Sequence, residues 1–179
     1  MASSSLTGFT IRAAVRQDAV PLAELGRRTF IDKFGHIYSD ADLNTYLDEA
    51  HIETVYAGMI ESPDFMVRVA ELPGGDLGAY LVCSPLELPA ENPAEDAVEL
   101  MRVYVDGSLQ GRGLGSHFIR EGIDWAKISG ASEFYLSVFS ENDAARRLYE
   151  RFGFEKVGEF EFPVGNHRDL EYLMRLRLD

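Results

Sequence analysis

Val98-Glu99-Leu100-Met101-Arg102-Val103-Tyr104-Val105, a short link, and then Gln110-Gly111-Arg112-Gly113-Leu114-Gly115-Ser116 form the stretch whose reading decides the fold. The first eight residues are rich in β-branched and aromatic side chains and read as a strand. The glycines then break the extended chain, and Phe118, Ile119, Ile123 and Ala126 follow at helical spacing. Phe134-Tyr135-Leu136-Ser137-Val138 returns to a strand. Strand, helix and strand in this order predict a parallel βαβ unit. Alternation along the first strand places Glu99, Met101, Val103 and Val105 on one face and Leu100, Arg102 and Tyr104 on the other.

Outward from this unit, the chain towards the N-terminus predicts a strand at Phe9–Ala14. A helix then carries Val20, Leu22, Leu25 and Phe30, with Asp18 as its N-cap. Ser39 or Asp40 opens a second helix through Leu43, Tyr46 and Leu47, and a third runs near Ile52–Ile60 until Ser62-Pro63. Phe65–Ala70 and Gly78–Cys83 flank Pro73-Gly74-Gly75-Asp76 and read as a hairpin. A proline-rich acidic loop, about 84–96, leads to Val98. Towards the C-terminus come a helix at Asn142–Phe152 and strands near Phe154–Phe162 and Arg168–Arg177. The composite is a loose leader over residues 1–8 and a single α/β domain over 9–179, with a mixed, centrally split sheet flanked by helices.

Composition narrows the function classes. The 179 residues are 46% hydrophobic and 26% charged, which is ordinary globular composition and excludes a disordered acidic tail. The absence of any run of 18 apolar residues, and of a basic, apolar leader, predicts a cytoplasmic protein with no membrane partner. A formal charge of −13 argues against a nucleic-acid partner, whose phosphates need clustered Lys and Arg. The charge is uneven: residues 1–100 hold 6 Lys and Arg against 17 Asp and Glu, whereas residues 101–179 hold 11 against 13. An acidic first half suits a cationic partner and a nearly neutral second half suits an anionic cofactor, although an acidic surface also serves solubility. The one cysteine, Cys83, reads as a small core residue. His36, His51, His117 and His167 lack metal spacing, so no metal site is expected.

Three glycines ahead of a helix N-terminus let backbone N–H groups approach a phosphate closely. Ser116 stands where a dinucleotide fingerprint has its last glycine, and there is no Gly-Lys-Ser/Thr for a P-loop. A flexible strand-to-helix turn is the plain alternative. The spacing Gln110-x-x-Gly113-x-Gly115 after such a strand resembles the acetyl-CoA pyrophosphate loop of the GNAT acyltransferase superfamily. A second motif, Asn142-x-x-Ala145-x-x-x-Tyr149-x-x-x-Gly153-Phe154, is similar to that family's following helix. The region Phe30–Leu47 and the segments Phe160–Gly165 and Asp169–Met174 more weakly resemble bacterial spermidine/spermine acetyltransferases.

The resemblance implies a GNAT fold and an acetyl-CoA-dependent N-acetyltransferase. It would pass acetyl directly to a small-molecule primary amine, a polyamine such as spermidine or spermine being one case. Acceptors of other kinds are a protein N-terminus, a lysine or an amino-sugar drug, and a non-catalytic CoA-binding sensor is the rival outside enzymology. The family leaves a monomer or a homodimer open. Glu99, eleven residues before Gln110, has an offset similar to that of the general base of histone-modifying members, or else it pairs with a cation such as Arg102 or lies in solvent. Tyr149 occupies the family's proton-donor position for the departing thiolate, or else is an aromatic on a buried helix face. Backbone near Val103, Tyr104 and Val105, where the strand is expected to bulge and splay, would bind the thioester oxygen. Gln110, Gly111, Arg112, Gly113, Leu114, Gly115, Ser116, Asn142, Arg147 and Tyr149 complete the implied cofactor contacts, with Arg112 and Arg147 as readily on a solvated helix face. For the acceptor, Phe30 and Tyr38 would hold methylenes, and Asp42, with Asp32, Asp40 and Glu49, an ammonium.

Overall fold

In the computed structural model, which describes residues 8–179, the sheet is built around β3 (Leu77–Pro85) and β4 (Val98–Val105). β3 is buried from Leu77 to Ser84, so its continuous apolar run reads as a strand covered on both faces. The full order is β1-β2-β3-β4-β5-β7-β6, with β1 (Thr10–Ala13), β2 (Met66–Glu71), β5 (Glu133–Phe139), β6 (Glu155–Val164) and β7 (His167–Arg177). Every neighbouring pair is antiparallel except β4 and β5. That parallel pair is joined at only two positions, Val98 with Phe134 and Glu99 with Tyr135. Beyond them the strands diverge, which gives the expected split.

Two layers cover the sheet. On one face α4 (Leu114–Ile128) buries Phe118 and Ile119 against Leu81, Cys83, Phe134 and Leu136. Gly122 allows this close approach, since a Cβ there would sit 3.3 Å from both Cys83 Sγ and Phe134 Cζ. α5 (Asp143–Arg151) adds Leu148 and Tyr149 on the same side. On the other face lie α1 (Ala19–Phe34), α2 (Asp40–Ala50) and α3 (Glu53–Glu61), with Leu22, Leu25 and Tyr56 packed on Val69, Tyr80 and Val82. Each such fully buried large side chain contributes about 1.5–3 kcal/mol through removal from water.

Three local expectations are corrected. Asp18 does stand at the N-cap position of α1, but its side chain makes no capping bond to the helix. Its carboxylate instead accepts from both terminal nitrogens of Arg12, at 2.7 and 2.9 Å, and from the Val15 backbone, which ties β1 to the helix entrance. The bulge in β4 falls at Met101, because Cys83 pairs with Leu100 while Val82 pairs with Arg102. It therefore precedes Val103–Val105. One extra residue reverses the alternation, so Glu99 shares a face with Arg102 and Tyr104, and Leu100 shares the other with Val103 and Val105. Of the expected leader, residues 1–7 lie outside the described residues, and Gly8 is a turn residue with φ +99°.

Candidate active site

The split between β4 and β5 opens into a cavity of about 1120 Å³ that reaches from the glycine loop to the aromatic face of α1 and α2. Its narrow end is built by the βαβ crossover. Gly111 and Gly113 hold φ of +76° and +85°, conformations that a side-chain-bearing residue adopts only at a cost. The first intrahelical bond of α4 runs from His117 N–H to the Gly113 carbonyl at 2.9 Å. The N–H groups of Leu114, Gly115 and Ser116 precede it and carry the positive end of the helix dipole. Gln110, Gly111, Gly113, Leu114, Gly115 and Ser116 all line the cavity, with open space above Gly111. This cradle fits the pyrophosphate of a CoA-type ligand. The diverging strands leave β4 unpaired towards β5 from Leu100 onwards, a slot for an extended pantetheine arm bordered by Val103, Tyr104, Val105 and Val138.

Asn142 and Tyr149 line the same slot. Asn142 Oδ1 accepts the Ala145 N–H at 3.3 Å and so caps α5. Tyr149 is 8% exposed and packs edge-on to Phe154. Burial pushes its phenol well above the usual value, and the nearby Glu171 adds to the shift, so the hydroxyl stays protonated at neutral pH. Arg112 and Arg147 are exposed and do not line the cavity; the Arg112 guanidinium lies 4.5 Å from the Phe9 ring centre.

The wide end is aromatic and acidic. Phe30, Phe34, Tyr38, Tyr46, Phe160 and Phe162 form its walls. Phe30 stacks on Tyr38 with 5.9 Å between ring centres and contacts Tyr46 at 4.6 Å. Glu99, 3% exposed, accepts the backbone N–H groups of Glu87 and Leu88 through Oε2, each at 2.9 Å. Burial raises its pKa, and those two bonds oppose the rise.

Two further carboxylates stand on β7 and were not singled out from the sequence. Asp169 accepts the Tyr38 hydroxyl and faces His167 Nε2 at 3.1 Å. Glu171 is held above the usual carboxylate range by burial and by Asp169. The alternation Asp169-Leu170-Glu171-Tyr172 reads as a strand with one solvated face. Only the insertion of β7 between β5 and β6 turns that face inwards.

The first-half acidic residues divide. Asp32 lines the cavity, whereas Asp40, Asp42 and Glu49 do not. Asp42 Oδ1 accepts the Asn166 N–H at 2.7 Å and Oδ2 accepts the Ser39 hydroxyl at 2.8 Å, which docks the start of α2 on the β6–β7 turn. Cys83 is buried in the core, and its thiol is pushed up by desolvation. Among the described residues no helix is long and apolar enough to cross a membrane.

Comparison with known proteins agrees with this geometry. The acetyltransferase (GNAT) family model matches residues 30–154. An uncharacterized N-acetyltransferase in the pepI 3' region of Lactobacillus delbrueckii subsp. lactis is 26% identical over 177 residues, 97% of this chain and 99% of that protein. The spermine/spermidine N(1)-acetyltransferase of Bacillus subtilis (strain 168) is 35% identical over 89 residues, 49% of this chain and 59% of that protein. In fold, the chain is similar to the PaiA N-acetyltransferase of Thermoplasma acidophilum, solved in complex with coenzyme A. The TM-score is 0.76 at 17% identity, covering 96% of this chain and 100% of that one. A phosphate cradle, a split parallel pair and a family match spanning both motifs converge: the chain belongs to the acetyltransferase (GNAT) family and is an N-acetyltransferase with acetyl-CoA as cosubstrate.

Proposed function

We propose that the chain transfers acetyl directly from acetyl-CoA to the primary amine of a small molecule, both substrates being bound together. The observation that carries this reading is the continuity of one cavity from the Gln110–Ser116 cradle, past Tyr149, to the chamber containing Glu99 and Glu171. In it, backbone N–H groups of Leu114 to Ser116 hold phosphate, and unpaired backbone near Val103–Val105 meets the thioester oxygen as charge develops there. An alkylammonium near pKa ~10.4 must lose a proton before it can attack. Glu99 takes that proton through the oxygen not bonded to the Glu87–Leu88 loop. Tyr149, kept protonated by burial, donates to the departing thiolate. Asn142 adds its amide to the cofactor arm.

A polyamine is a second, narrower reading. The carboxylates of Asp32, Asp169 and Glu171 beside aromatic walls favour it, since they suit ammonium groups and methylenes. The test is CoA-thiol release by the purified chain with acetyl-CoA and spermidine, spermine, putrescine, free amino acids, lysine peptides, peptides with free N-termini and an aminoglycoside. Release with a small amine is expected. Release with peptides alone moves the acceptor to a protein, and acetyl-CoA binding with silence throughout removes the small-amine reading.

A further inference from the structure

We infer that the acceptor bears a carboxylate beside its amine and that Arg102 binds it; this rests on the small-amine reading above and names its substrate class. Arg102 lines the wide end of the cavity, on the β4 face that the Met101 bulge gives it together with Glu99 and Tyr104. Among the described residues it is the one arginine that is neither exposed nor matched to a carboxylate. Arg12, Arg27, Arg68, Arg146 and Arg175 are also removed from full exposure, and each has an Asp or Glu within 3.2 Å.

What surrounds Arg102 is neutral. Its Nη1 donates to the Ala50 carbonyl at 2.9 Å, at the end of α2, and its guanidinium centre lies 5.2 Å from the Tyr56 ring centre. Tyr46, Tyr56, Tyr80 and Tyr104 are the titratable groups that act most strongly on it, and burial raises all four phenols, so none supplies an anion at neutral pH. His51 is likewise uncharged, its pKa lowered to about 3 by burial and by Arg102 and Arg27. A guanidinium has five N–H donors. One donor is spent on Ala50 and one on the Tyr56 side chain; no Arg102 nitrogen is both sealed and unbonded, and the residue lines the cavity, so donors remain for a ligand there.

A half-buried cation without a counter-charge is costly unless a ligand supplies one. The pyrophosphate cradle cannot be that ligand's seat, because α4 packs on the opposite face of the sheet. The planar fork of arginine matches a carboxylate through two parallel bonds. The ammonium end has its own counterpart: Glu171 lines the same cavity from β7 with no cation within ion-pair distance among the described residues. One wall is cationic, the other anionic, and an amino acid presents both charges in complement.

The experiment uses the full chain with acetyl-CoA and compares the free amino acids, each beside its C-terminal amide, with spermidine and spermine. Thiol release is expected with at least one free amino acid, whose kcat/KM exceeds that of its amide by ~10–100-fold, the value of a hydrogen-bonded charge. Arg102→Met should raise KM for the acid by a similar factor, leave CoA binding by calorimetry unchanged and abolish the preference for acid over amide. Arg102→Lys should restore part of it, which a merely structural arginine would not do. An acid-to-amide ratio near one, or a ratio that survives Arg102→Met, overturns the assignment, as does release confined to spermidine and spermine. Silence with every amine overturns the small-amine reading instead. Calorimetry of amino acids against the CoA-loaded protein then decides Arg102: binding lost in Arg102→Met upholds its role, and no binding to the unaltered chain overturns it.

Discussion

Glu99 Oε2 lies 2.9 Å from the backbone nitrogen of Leu88 and at the same distance from that of Glu87, so one carboxylate both faces the cavity and fastens the loop that borders it. The two duties separate by substitution. Glu99→Gln keeps an acceptor oxygen for the loop but cannot take a proton at neutral pH. Its kcat should fall by ~10²–10⁴ with no loss of Tm. Glu99→Ala should lose kcat and also ~1–3 kcal/mol of stability, because two N–H groups are left without their acceptor. Steady-state kinetics with thermal unfolding of both variants checks this, and equal activity of Glu99→Gln and the unaltered chain would remove the base.

The pH dependence follows from the same burial. Glu99 ionises above its ordinary value of 4.5, so the acid limb of kcat/KM should lie above that value and vanish in Glu99→Gln. For stability the sign is opposite to that of a salt-bridged acid. A carboxyl whose folded pKa is raised contributes stability below its unfolded pKa and loses it as pH rises through the folded one. The unaltered chain should therefore lose stability relative to Glu99→Gln as pH rises above the ordinary value of 4.5, read as a change in their Tm difference.

Tyr149→Phe removes a hydroxyl at the slot and leaves the packing against Phe154 in place. Turnover should fall by ~10²–10⁴ while acetyl-CoA binds with its original affinity. Calorimetry beside thiol-release assays separates the two, and unchanged turnover would strip Tyr149 of its role.

Reversal of charge at Asp42 should leave the acceptor KM unchanged, since this carboxylate docks α2 on the β6–β7 turn and does not line the cavity. The cost appears in Tm. Gly165 is the counterpart: with φ +57° and a would-be Cβ 2.6 Å from the Asp42 Cα, it permits this docking only as glycine.

Gly26→Ala should destabilise by ~1–3 kcal/mol through overpacking. Its Cβ would stand 2.4 Å from both His51 Nδ1 and the Tyr56 hydroxyl. Those two groups are themselves bonded at 2.8 Å, in a chain that continues to the Tyr80 hydroxyl. Chemical denaturation measures the loss.

The elements that were legible are those with a local cause. The period of α4, the glycines at Gly111 and Gly113 and the Ser39 cap of α2 each declare themselves within a few residues. The cavity residues that escaped depend on pairing. Nothing local marks Met101 as an extra residue, yet its bulge moves Arg102 to the face of Glu99. Asp169 and Glu171 become inward-facing only through the strand order. Asp42 shows the converse: an acidic residue near a helix start invites a ligand role, and its partner is a backbone amide 124 residues away.

With only two residue pairs joining β4 to β5, hydrogen bonding does little to make the sheet one mechanical body. Continuity across the seam falls to side chains, with Phe118 and Ile119 of α4 spanning from Leu81 and Cys83 on one side to Phe134 and Leu136 on the other. The width of the catalytic slot is thus set by core packing on the face away from the acceptor, and a lost ring at Phe118 would act as a slackened clamp, felt in turnover by residues it never touches.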